Sequence, residues 1–178
     1  AGNGPAATEF AKRLVAAEGG PLVDLNQTVE AFMGMNKIQE TTALLLEALK
    51  GDRKEEGYLQ TKLLEINLAG GSPQVADAIL QNEMFHHYDR PHVAKLCEGA
   101  GLFQRALEHY TDLADLKRVL QHTHALNPEF LLTYFGTLSR EASLEILRDL
   151  LARNMRQNLN IVVQIAAKYV DQIGVDQI

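Results

Sequence analysis

The sequence predicts an all-α fold: an α-solenoid of stacked antiparallel helical hairpins built from about eleven short helices. Three observations predict it. Apolar residues recur at intervals of three and four along most of the chain, the spacing of one helical face. No stretch alternates strictly, and no Asn-Gly or Asp-Gly hairpin sits between β-branched runs. Start and stop residues punctuate the chain so often that the links between helices are very short, which makes neighbours antiparallel.

Taken in order, the first helix is read over 6–17, with Glu9 and Arg13 as an i,i+4 pair and Gly19-Gly20 as the break after it. Asp24, with Gln27, is an N-cap candidate for 25–35. Ile38, Thr42, Leu45 and Leu49 line one face of 37–50, and Gly51 is placed to end it in the left-handed conformation. Leu59, Leu63 and Ile66 mark 56–68, before a looser Gly70-Gly71 break. Ser72-Pro73 and Asn127-Pro128 each set a capping oxygen ahead of a proline at the first helical position, opening 73–81 and 128–137. Asp89 opens 90–99, and Gly101 closes it. Leu102, Ala106, Leu107 and Tyr110 mark 102–110, and 113–123 follows. Ser139 opens 140–153, whose face carries Leu144, Leu147 and Leu151. In 155–172 the stripe Leu159, Val162, Val163, Ala166, Val170 and Ile173 lies opposite Asn160, Gln164, Lys168 and Asp171, and Gly174 ends the run.

A closed core does not readily absorb eleven short helices of similar length, whereas a stack of hairpins does, because each buries its stripe against the next. Leu44-Leu45-Leu46 and Ile161-Val162-Val163 spread apolar residues around their helices, the pattern of elements packed on two sides. No strict sequence period is present, so this is not a consensus-type repeat. On this pattern 1–178 is one stack or one section of a larger array.

Composition narrows the function classes. The 178 residues are 46% hydrophobic and 22% charged, with a formal charge of −6, a pI near 5.5 and a mean hydropathy of −0.14. That profile predicts a folded, soluble, intracellular protein without a membrane span or a secretory signal. A lone cysteine, Cys97, provides no disulfide framework. The acidic balance argues against a nucleic-acid partner. Protonation of all six histidines would bring the formal charge from −6 to zero, so lateral self-association is expected to strengthen as pH falls from about 7.5 to about 6.

Residues that could carry chemistry do not form a constellation in the sequence. His86, His87 and His92 lie near Cys97, but His92 and Cys97 are five apart and point to different sides of a helix; His122 and His124, two apart, diverge likewise. Cys97 reads as a core residue, and Lys95 is turned away from it. Gly99-Ala100-Gly101 follows a helix and lacks the Lys-Ser/Thr of a phosphate loop. Asp112 and Asp115 read as a solvated face, and Asp149 with Arg153 as a surface pair. No catalytic residue, metal ligand or cofactor-binding residue is assigned, and the protein is not read as an enzyme.

Specific resemblance begins at residues 86–135. His87-Tyr88-Asp89-Arg90-Pro91-His92-Val93-Ala94-Lys95-Leu96-Cys97-Glu98 runs into Ala100-Gly101-Leu102-Phe103-Gln104-Arg105-Ala106-Leu107-Glu108-His109-Tyr110-Thr111-Asp112-Leu113. His122-Thr123-His124-Ala125-Leu126-Asn127-Pro128-Glu129-Phe130 and Tyr134-Phe135-Gly136-Thr137-Leu138-Ser139 follow. With Gln74 to Leu80 and Asn154 to Leu159, this resembles the clathrin heavy-chain repeat family, in the distal leg, most strongly over 21–173. The first twenty residues match less well, and Phe130 stands where animal members carry tryptophan.

The resemblance implies a structural leg segment of the triskelion and of the polyhedral coat of coated pits and vesicles, in endocytosis and intracellular protein transport. It implies that 1–178 is a single segment of a longer stack, with two end helices exposing apolar faces that neighbouring repeats would cover. It implies other heavy-chain legs as partners, with light chain and adaptors binding through regions outside this segment. It also implies a cytoplasmic location, indirect membrane association through adaptors, and no cofactor. Which residues make leg–leg contacts is not legible in the sequence. The rival readings are a clathrin-repeat segment of a vacuolar-sorting tethering subunit, a tetratricopeptide-like peptide-binding module, and a helical enzyme using Cys97 or the histidines.

Overall fold

The computed structural model describes residues 24–170 together with Ala6, Glu9 and Arg13. Those three are helical, and Glu9 and Arg13 approach to 3.6 Å. The rest of 6–17, the Gly19-Gly20 break, Ile173 and Gly174 lie outside the described residues. Over residues 24–170 there are nine α-helices and no strand. They are α1 (Leu25–Gly34), α2 (Ile38–Ala48), α3 (Gly57–Ala69), α4 (Pro73–Gln81), α5 (Arg90–Gly99), α6 (Phe103–His109), α7 (Leu113–Val119), α8 (Pro128–Tyr134) and α9 (Arg140–Lys168). Three 3-10 turns, Lys54–Glu56, Leu120–Ala125 and Phe135–Thr137, lie between them. The chain divides into two compact units, Ala1–Arg105 and Ala106–Ile178.

In the first unit α3 is the hub, packing against α2, α4 and α5. Its buried residues, Gln60, Leu63, Leu64, Ile66, Asn67 and Leu68, take up more than half of the helix circumference because neighbours cover it from several sides, and Tyr58 stands on the exposed face. Leu44, Leu45 and Leu49 of the α2 segment are fully buried. Burial of each such side chain contributes about 1.5–3 kcal/mol before the entropy of ordering is subtracted.

Four helices of this unit end in one motif. A residue with positive φ follows the last turn, and the next amide reaches back five residues to a helix carbonyl. The left-handed residue is Asn36 after α1, Gly71 after α3, Glu83 after α4 and Gly101 after α5. The closing bonds are Lys37 N to Phe32 O (2.9 Å), Ser72 N to Asn67 O (3.0 Å), Met84 N to Ile79 O (3.2 Å) and Leu102 N to Cys97 O (2.8 Å). After α2 the left-handed position is Asp52 (φ 43°), not Gly51 as the sequence pattern suggests. The Asp52 carboxylate makes the contacts that hold this turn, and glycine has none to offer.

The second unit is organised by α9, which packs against α7, α8 and the Leu120–Ala125 turn. Its 29 residues are broken at Asn154 (φ −152°, ψ 84°), so the helix expected at 140–153 and, as far as Lys168, the one expected at 155–172 are present as two halves, while 171–172 lie outside the described residues. The helix expected over 113–123 is α7 followed by a 3-10 turn kinked at His122 (φ −90°, ψ 35°). That over 128–137 is α8 followed by Phe135–Thr137.

Asp24, Asp89, Asn127 and Ser139 cap the amides of Asn26, His92, Glu129 and Ala142 as their positions predict. One expectation needs correction. Ser72 makes no side-chain cap, so Pro73, which lacks an amide hydrogen, itself suits the start of α4. Asp112 is exposed, as a solvated face requires, and its carboxylate also takes the amides of Ala114 (2.9 Å) and Asp115 (3.4 Å) and starts α7, while Asp115 pairs with Arg118 at 2.6 Å.

Candidate functional site

The residues with chemical potential are dispersed, and local structure accounts for most of them. Cys97 is fully buried on the core face of α5, with Val93 and Ala94, while Lys95 is exposed. The amides of Ala100, Gly101 and Leu102 bond the carbonyls of Leu96, Glu98 and Cys97, so this glycine turn spends its donors on its own helix. His87 and His92 are exposed, and His86 pairs with Asp52. His122 and His124 do not diverge: the kink at His122 brings their rings to 6.1 Å, edge to face. Among the described residues no three His, Cys, Asp or Glu side chains are placed to hold a metal ion. Among them, too, no helix is long and apolar enough to cross a membrane.

What the structure builds with care is the joints between helices, through polar residues on otherwise apolar faces. Asn67 of α3, 1% exposed, donates to Thr42 Oγ1 of α2 (3.0 Å) and to the Leu63 carbonyl (2.9 Å). Gln60, fully buried, donates to Asp52 Oδ1 (2.8 Å) and accepts from the His87 amide (2.9 Å). Asn158 holds the bend in α9: it donates to the Leu150 carbonyl (2.8 Å) and accepts from Thr123 Oγ1 (2.8 Å). Asn154 Oδ1 accepts the Gln157 amide at 3.2 Å, capping the second half of the helix. No buried polar side-chain atom among the described residues lacks a partner. Each amide thus satisfies itself while fixing the register of two elements, and removing one would strand its neighbours at about 1–3 kcal/mol. None of the three joints built on Asn67, Gln60 and Asn158 was read from the sequence. Their signal was a polar residue at a helix position with an apolar pair three and four residues to one side: Leu63 and Leu64 for both Gln60 and Asn67, Ile161 and Val162 for Asn158.

Charge adds two inter-helix ties. Arg105 Nε meets Asp77 at 2.6 Å and is only 13% exposed at its side chain, and Lys117 pairs with Glu145. Tyr134 donates to the Leu107 carbonyl at 3.2 Å, and burial pushes its phenol up to about 12. The hydrogen bond from His86, chiefly, holds the Asp52 carboxyl below its ordinary value.

Two open depressions accompany these joints. One, of about 500 Å³, is lined by Asn26, Val29, Glu30, Tyr58, Leu59 and Lys62 between α1 and α3. The other, of about 710 Å³, is lined by Gln121, Leu150, Arg153, Asn154, Gln157 and Asn158 at the bend of α9.

One surface contradicts the predicted stripe. In the second half of α9 the buried side is Asn158, Val162 and Ile165. Leu159 and Val163, expected to be buried, are 49% and 55% exposed, and Met155 is 61% exposed. Met155, Leu159 and Val163 are successive i,i+4 neighbours, so they form one apolar ridge facing out. The helix is apolar on two sides, as Ile161-Val162-Val163 suggested, and the unit covers only one of them.

An all-α array with joints of this kind is common to several repeat architectures, and comparison with known proteins separates them. The clathrin family, described as a region in clathrin and VPS, matches residues 16–159. The chain belongs to the clathrin repeat family. It is 55% identical over 172 residues to probable clathrin heavy chain 1 of Caenorhabditis elegans, covering 96% of this chain and 10% of that protein. It is 61% identical over 164 residues to clathrin heavy chain of Drosophila melanogaster, covering 92% and 10%. It is 56% identical over 166 residues to clathrin heavy chain 2 of Homo sapiens, covering 93% and 10%. The chain spans about a tenth of the length of the curated relatives it matches.

Proposed function

We propose that this chain is a leg segment of a clathrin heavy chain, working as a strut and a packing surface in the triskelion and in the coat of coated pits and vesicles. The observation that carries the reading is its more than 50% identity to clathrin heavy chains over more than nine tenths of its length. The joints support it in physical terms. Helices pinned by buried amide ties and inter-helix ion pairs hold a fixed geometry, and a strut needs that more than it needs a reactive group.

In this reading the chain is one stretch of an α-solenoid, and the Met155–Leu159–Val163 ridge is where further helical repeats of the same polypeptide pack. Its partners are other heavy-chain legs. Light chain and adaptors engage other regions, and membranes are reached only through adaptors from the cytoplasmic side. The segment has no enzymatic role.

An antibody raised against this segment tests the reading. It should detect a native polypeptide about ten times longer than 178 residues, cosedimenting with vesicle coats. A native product of only 19.7 kDa, absent from the coat fraction, would overturn it.

A further inference from the structure

We propose that His86 and Asp52 form a proton-operated latch, which clamps the 82–89 loop onto the start of α3 more tightly once His86 takes a proton. The loop is held in an unusual way. The amides of His86, His87 and Asp89 are captured by side chains of another segment. Asp52 Oδ1 accepts His86 N (3.1 Å), Gln60 Oε1 accepts His87 N (2.9 Å), and Thr61 Oγ1 accepts Asp89 N (2.9 Å). The approach is close enough that a Cβ at Gly57 would run into the His87 carbonyl oxygen. Thr61 donates in turn to the Gly57 carbonyl at 2.8 Å, so the seat is tied to the first turn of α3.

Asp52 is the centre of the clamp. It adopts a left-handed backbone conformation that aspartate tolerates better than most residues, and its carboxylate collects three donors. These are the His86 amide, the Gln60 amide nitrogen and His86 Nδ1, the last at 2.6 Å from Oδ2. The imidazole of His86 is 62% exposed at its side chain, so solvent protons reach it directly. A neutral imidazole gives this carboxylate an ordinary hydrogen bond, whereas an imidazolium gives it a charge-assisted one. The bonds of Asp52, Gln60 and Thr61 run to consecutive parts of one loop, so tightening the first restrains the others.

Other charges near the pair belong to the two segments that meet there. On the α2–α3 connection, Arg53 is engaged by Glu56, with Lys54 and Glu55 beside it in the 3-10 turn. On the loop and the start of α5 are Glu83, His87, Asp89 and Arg90, and the Asp89 carboxylate caps His92. His86 is the charged group that acts on the Asp52 carboxyl and lowers it. With that sign, the carboxylate's contribution is present above the ordinary carboxylate range and is lost only as pH falls through its depressed value. Where the imidazole carries its proton and Asp52 is ionised, both partners are charged, and the latch is closed.

Amide hydrogen exchange on the 178-residue chain tests this at pH 7.5 and 5.5, with each rate corrected for its intrinsic pH dependence. The expected result is about two- to fivefold higher protection at pH 5.5 for His86, His87 and Asp89. Ala142, whose amide bonds the neutral Ser139 hydroxyl, should stay unchanged as the control. The rise should vanish in His86→Ala and in Asp52→Asn; the latter keeps an acceptor oxygen for the loop amide and for Gln60. Unchanged protection in the wild-type chain overturns the proposal, as does a rise that survives in either folded variant. Should a variant fail to fold, the wild-type comparison with Ala142 decides alone.

Discussion

The two units close and bury their helices by different means. In the first, four helices end on a left-handed residue with a five-residue back-bond, and the hub α3 is covered over its apolar sides, leaving only the face of Tyr58, Lys62, Glu65 and Ala69 toward solvent. In the second, no described residue has positive φ. There, 3-10 turns end α7 and α8, and the hub α9 bends at Asn154 and leaves one apolar side open. Both hubs carry apolar residues on more than one side, so the difference lies in how many neighbours reach them. A two-sided helix can therefore be complete or incomplete within its own unit, and exposure at particular i,i+4 positions tells the two apart.

The largest test of that contrast is truncation of a leucine in each hub. Leu64→Ala in α3 should lower stability by about 2–5 kcal/mol, since the side chain is fully buried. Leu159→Ala in α9 should cost about 0.5 kcal/mol or less in the isolated chain. Urea midpoints measure both, and equal losses would break the comparison. Next comes Asn158→Ala, which strands the Thr123 hydroxyl and the Leu150 carbonyl and should cost about 1–3 kcal/mol by the same measurement.

The closing residues of the first unit predict effects of opposite sign. Gly101→Ala places a Cβ at φ 78° and should destabilise by about 1 kcal/mol. Glu83→Gly relieves a left-handed glutamate and should stabilise by about 0.5–1 kcal/mol. A shift of the same sign for both would show that the shared motif does not decide stability at these ends. Tyr134 gives the finest reading. Its raised phenol means that the folded state holds its proton while the unfolded state loses it, so this contribution is intact below about pH 10 and fades toward about 12. Ultraviolet titration should show one tyrosine ionising last, and Tyr134→Phe should remove that phase.

Much of the fold was legible, because helix period and punctuation are local. Pro73–Gln81 and Arg90–Gly99 lie where Pro73, Asp89 and Gly101 put them, and even the break at Asn154 separates two recognisable stripes. What was not legible depends on partners distant in sequence. Asp52 takes the left-handed position beside a glycine because His86, 34 positions on, requires its carboxylate. The side of 155–168 that is buried depends on Thr123 meeting Asn158, 35 residues apart, and no helical period carries that information. The joints stayed hidden for the same reason. Asn67, Gln60 and Asn158 stand out in the sequence only as polar residues beside an apolar pair, and that pattern does not name Thr42, Asp52, His87 or Thr123 as their partners.

The most direct measurement is amide exchange across α3 and 155–168, in the 178-residue chain and in the native full-length polypeptide. If the open side of α9 is a repeat-packing face, 155–168 exchanges much faster than α3 in the 178-residue chain and approaches it in the full-length protein. Fast exchange at 155–168 in both would contradict the account, because the Met155–Leu159–Val163 ridge would then remain uncovered where further repeats are available to cover it.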